Sequence, residues 1–136
     1  MTADVKKVRV EEKEKYVIFQ DKAKQFYEES NVAQKARRWA AVGLNAMHCA
    51  ISMCDALTIY FLQKRSVADD HRLAVDLLSE MPAEGIENQL ANYKRILAKK
   101  YVVAYEDREF RQNEALDIAK QVECFYQWGI SKLPTK

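Results

Sequence analysis

Residues 45–57 read NAMHCAISMCDAL, inside a run from Trp39 to Leu62 whose one formal charge is Asp55. Asn45, His48, Ser52 and Asp55 are three, four and three residues apart. At about 100° per residue they fall within roughly an 80° arc of a helix. A helix apolar almost all round is packed on several sides, so this run is expected to be the central helix of the fold, with a narrow polar line along it. About 20 apolar residues also suffice to cross a bilayer. Asn45, His48 and Asp55 near the middle would each be costly in lipid, which favours a core helix and no membrane partner.

Working outward, the N-terminal segment 1–11 is expected to be a flexible arm, and 12–136 a single helical domain. A helix is predicted over about Glu12–Glu29, with Tyr16, Phe19, Ala23, Phe26 and Tyr27 at three- and four-residue spacings. Ser30 and Asn31 offer a break and a new N-cap, or the helix continues through them. The central helix is then expected over about Val32–Lys64. The connector RSVADD carries Ser66 and Asp69 as candidate caps, and a short helix with Leu73, Leu77 and Leu78 inward follows. MPAEG at 81–85 is the clearest break. Further helices are expected over about Ile86–Tyr105 and Gln112–Leu133. Only three Gly and two Pro occur among 136 residues, and helix formers dominate. The fold class is therefore all-α: an up-and-down bundle of four to five helices.

The composition is 49% hydrophobic and 31% charged, with 22 basic and 20 acidic residues for a net charge of +2. That is globular rather than disordered, and nucleic-acid contact would need a local patch rather than a global polycation. Cys49, Cys54 and Cys124 sit in apolar helical runs and read as buried reduced thiols. No Cys/His spacing suggests a metal site or cofactor, and the start MTADVKKVRVEEKEK lacks the apolar core of a secretory signal. A cytoplasmic protein is the expectation.

His48 and Asp55 are two turns apart, about 10 Å along the helix axis, too far to touch. Each needs a partner from another helix. The line Asn45, His48, Ser52, Asp55 reads either as a buried polar network or as a lined ligand pocket that His71 could join. Asp69–Arg72 reads as a solvated helix start. Lys94, Arg95, Lys99 and Lys100 form a basic band, solvated or phosphate-contacting. Tyr93, Tyr101, Tyr105, Phe125, Tyr126 and Trp128 are expected in the core, with Asp55 a candidate partner for the Tyr105 hydroxyl.

Three stretches taken in order, HCAISMCDAL, DDHRLAVDLL and YKRILAKKYVVAYEDREF with NEALDIAKQVECFYQW, resemble the HEPN superfamily of small all-α domains, over about residues 14–134. The resemblance implies a helical bundle, whose catalytic members are usually dimers, so a homodimer is the expectation here. Its members include metal-independent ribonucleases with an Arg-x(4–6)-His motif, nucleotide-binding proteins, and partners of small nucleotidyltransferases in toxin–antitoxin pairs. At the matching helix this chain has Lys100-x4-Tyr105 or Arg95-x5-Tyr101, and no His follows residue 71. Tyrosine, with an ordinary pKa near 10, is a poor proton shuttle at pH 7, and lysine lacks the bidentate phosphate fork. Lys100 and Tyr105 are thus weak catalytic candidates. The implied role is a binding or partner module for nucleotide, RNA or a partner protein, with Arg95, Lys99 and Lys100 on phosphate. The alternatives are a divergent ribonuclease toxin and a purely structural bundle.

Overall fold

The computed structural model describes residues 7–68 and 71–135. Residues 1–6 of the expected arm, and Asp69 as a cap, lie outside the described residues. The protein is an all-α bundle. Its helices are α1 (Tyr16–Lys35), α2 (Trp39–Leu62), α3 (Arg72–Ser79), α4 (Ile86–Ala98), α5 (Lys100–Ala104) and α6 (Gln112–Lys132), with a 3-10 turn at Lys13–Lys15. Strands β1 (Val8–Val10) and β2 (Lys64–Ser66) pair antiparallel, with Arg9 opposite Arg65.

Contacts between helices fix the topology. Ser30 Oγ donates to the Val42 carbonyl at 3.0 Å, Phe26 packs on His48, and Tyr16 meets Tyr60 edge-on. Numbers rise on α1 as they fall on α2, so the two form an antiparallel hairpin. Asn92 donates to the Gln121 carbonyl, Tyr93 stacks on Phe125 with centroids 4.9 Å apart, and Trp128 Nε1 donates to the Glu84 carbonyl, which makes α4 and α6 antiparallel as well. α2 holds the core, with Val42, Ala46, Met47, Cys49, Ala50, Met53 and Leu57 all buried. Among the described residues it is the one helix long and apolar enough to cross a bilayer, and 72% of its most apolar window is buried in the bundle.

Several local boundaries differ from the sequence reading. α1 runs through Ser30 and Asn31, because the Ser30 hydroxyl finds a tertiary acceptor on α2 instead of capping a new helix. The turn falls at Arg37, with φ 59°, a left-handed conformation that β-carbon-bearing residues adopt at some cost. Residues 8–10 are a strand rather than a loose arm, latched by Glu11, whose carboxylate accepts from Arg65 Nε at 2.8 Å. The helix expected over 86–105 is interrupted at Lys99, whose N–H bonds back to Ile96 and Leu97, a tightened turn. Ser66 Oγ accepts from the Ala68 N–H and helps turn the connector.

Burial lifts the Cys49 thiol to about 12 and Cys54 higher still, so both are inert, unreactive packing. Cys124 is exposed, contrary to expectation, and its sulfur accepts from Gln89 Nε2 at 3.4 Å.

Candidate functional site

The helices α3, α4 and α5 enclose an open cleft of about 740 Å3. Its apolar floor includes Val75 and Leu97. Around that floor stand His71 and Arg72 at the start of α3, Lys94 on α4, and Lys100, Tyr101 and Tyr105 on and just beyond α5. Among the described residues that line it, one acid, Asp76, accompanies the cations Arg72, Lys94 and Lys100.

The tyrosines correct the sequence reading. Tyr101 is 65% exposed and Tyr105 68% exposed, with ring centroids 6.0 Å apart. Neither is in the core, and an exposed Tyr105 hydroxyl needs no buried acceptor such as Asp55. Lys99 keeps right-handed helical angles, φ −87° and ψ −6°, and the inward positions Asn92, Ile96, Lys99 and Val103 recur at helical spacing, so Tyr101 and Tyr105 fall on the opposite, outer face. Tyr93, Phe125, Tyr126 and, half-buried, Trp128 do pack inward.

Lys100 Nζ stands 2.9 Å from His71 Nε2. An ammonium has no lone pair to offer, so Lys100 donates and His71 accepts as a neutral imidazole at that nitrogen. The same ammonium acts on His48, whose pKa is held below the ordinary imidazole value by partial burial first and by the Lys100 charge second. His48 is exposed, with its ring 5.2 Å from Phe26.

The polar line is therefore divided. Asn45 spends its amide on its own helix, donating to the Ala41 carbonyl at 2.9 Å. Ser52 is buried and lines no part of the cleft. His48 faces the Lys100 charge, and Asp55 lines a smaller chamber of about 260 Å3 together with His71 and Arg65. Burial first lifts the Asp55 carboxyl to about 7, with Arg65 and Lys22 opposing and Glu11 adding to the rise. Of the basic band, Lys94 and Lys100 line the cleft, whereas Arg95 and Lys99 do not. Among the described residues no three His, Cys, Asp or Glu side chains are placed to share a metal ion.

No family model, curated protein or solved structure matches the chain. The site therefore has to be read from its own chemistry. Sequence reasoning missed Arg65 and the exposed tyrosine pair. Arg65 sits in a connector whose three-residue strand carries no periodic signal. The pair could have been suspected from Lys99-Lys100, two adjacent cations interrupting an apolar stripe.

Proposed function

We propose that the protein is a HEPN-like, non-catalytic binding module for nucleotides or RNA, acting in the cytoplasm as a homodimer or beside a partner protein such as a nucleotidyltransferase or antitoxin. One observation carries this reading: two exposed tyrosine rings stand over a cleft rimmed by Arg72, Lys94 and Lys100. Exposed aromatic rings cost hydration and offer faces on which any base stacks, and neighbouring cations suit phosphate. Solvated surface lysines alone would not need the rings. Nucleoside monophosphates should therefore raise the melting temperature in proportion to the logarithm of their concentration. Lys100→Ala should weaken binding about tenfold, the worth of one charge-assisted contact. Calorimetry showing no heat with any of the four monophosphates would sink the reading.

A second reading, a divergent ribonuclease, is favoured by the contact of His71 with Lys100. α3 thereby brings an imidazole beside a cation, the pairing that α4 and α5 lack between themselves. Labelled RNA incubated with the protein in EDTA is expected to stay intact. Cleavage that disappears in His71→Ala and survives in Tyr105→Phe would replace the binding module with the enzyme.

A further inference from the structure

His71 lines both the large cleft and the 260 Å3 chamber, so its imidazole stands where the two adjoin. The chamber is walled by Ile51, Asp55, Arg65, Ser66 and Tyr93 along with His71. At about 30 Å3 of liquid per water molecule, it has room for a heteroaromatic ring.

Asp55 is the unusual member. It projects from the middle of the core helix and is half-buried. Its carboxylate accepts no hydrogen bond from any described residue. The neighbouring guanidinium is committed elsewhere, since Arg65 Nε donates to Glu11 at 2.8 Å and the group lies over the Phe19 ring. Arg65 therefore gives Asp55 only a charge at a distance. Among the described residues the sealed side-chain acceptors without a partner are Gln20 Oε1 and Gln121 Oε1, so the Asp55 oxygens are open to the chamber, only partly desolvated. A donor carried in by a ligand can therefore reach them.

We infer that the chamber is a base-reading subsite, and that Asp55 selects guanine by accepting N1–H and the exocyclic N2–H on its two oxygens. This rests on the reading of the adjoining cleft as a nucleotide site. Guanine alone among the RNA bases presents two adjacent donors on its Watson–Crick edge, the edge by which single-stranded RNA is usually read. Adenine and cytosine each set a ring acceptor beside one amine, and uracil flanks its one N–H with two carbonyls that a carboxylate repels. With guanine seated, its phosphate lies toward Lys100 and Arg72. A neighbouring base in a strand would reach Tyr101 and Tyr105.

The test is calorimetric titration of the full chain with GMP, AMP and the dinucleotide GpA. Wild type should bind GMP at least tenfold more tightly than AMP. Asp55→Asn and Asp55→Ala should erase that preference by weakening GMP binding at least tenfold, and a cooperative thermal unfolding transition reports that both variants are folded. Tighter binding of GpA than of GMP, lost in Tyr101→Ala, would identify strand RNA as the guanine source; equal binding would identify the free nucleotide. Equal affinity of wild type for GMP and AMP would overturn the inference and spare the nucleotide cleft. Binding of none of the three would overturn both.

Discussion

Replacing Asp55 with asparagine should stabilise the protein at pH 8, raising the melting temperature by roughly 5–10 °C, and leave it nearly unchanged at pH 4. The carboxyl has an ordinary value of 3.8 and is lifted to about 7 in the folded chain, chiefly by burial. Between those values the folded protein holds a proton that the unfolded chain has released. Stability therefore falls as pH rises from about 4 to 7 and levels off above. Asparagine never ionises, so the advantage of the variant opens across the same window. The full shift would correspond to about 4 kcal/mol at 1.36 kcal/mol per pH unit. Because Asp55 is half-buried rather than sealed, solvent screening leaves about 2 kcal/mol. Other titrating groups are shared by both proteins and cancel in the difference. Melting curves for the two that run parallel from pH 4 to 8 would refute the linkage. A residue that costs stability near neutral pH is of the kind that function retains.

Gly129→Ala should destabilise by about 1–3 kcal/mol in urea unfolding, through overpacking. A β-carbon there would stand 2.5 Å from Met53 Sδ and 2.7 Å from its Cγ. Met53 is completely buried on α2, so it has no open space into which to swing. α2 and α6 approach this closely because position 129 lacks a side chain. Met53→Ala alone should cost about 2–5 kcal/mol for the cavity it leaves. The double variant Met53→Ala, Gly129→Ala should cost less than the two single losses together by at least about 1 kcal/mol, because the new methyl enters the vacated space. Strict additivity would mean that the helices separate instead of the side chain yielding.

The apolar run around NAMHCAISMCDAL announced the core helix, because only a helix packed on several sides tolerates so little polarity. MPAEG was equally legible, and Gly85 does adopt φ 86° at the start of α4, under Trp128. Ser30 misled because a hydroxyl that caps a helix and one that bonds across a bundle look alike in sequence. Nothing local marks Arg37 as the turn, or shows that the inward face runs along Asn92, Ile96 and Val103 and leaves Tyr101 and Tyr105 outside. His48, Asp55 and His71 could be picked out as polar residues in apolar or capping contexts. That Lys100 contacts His71 while Asp55 shares a chamber with the same imidazole depends on how α3 and α5 settle against α2, which no spacing along the chain records.

The short ribbon of β1 and β2 has a practical bearing on how the protein is handled. Glu11 grips Arg65, and Arg65 is a wall of the Asp55 chamber. The first dozen residues look expendable on paper and invite removal when a shortened recombinant form is chosen. Cutting there would remove the carboxylate that holds Arg65 Nε and leave that guanidinium free to turn toward Asp55.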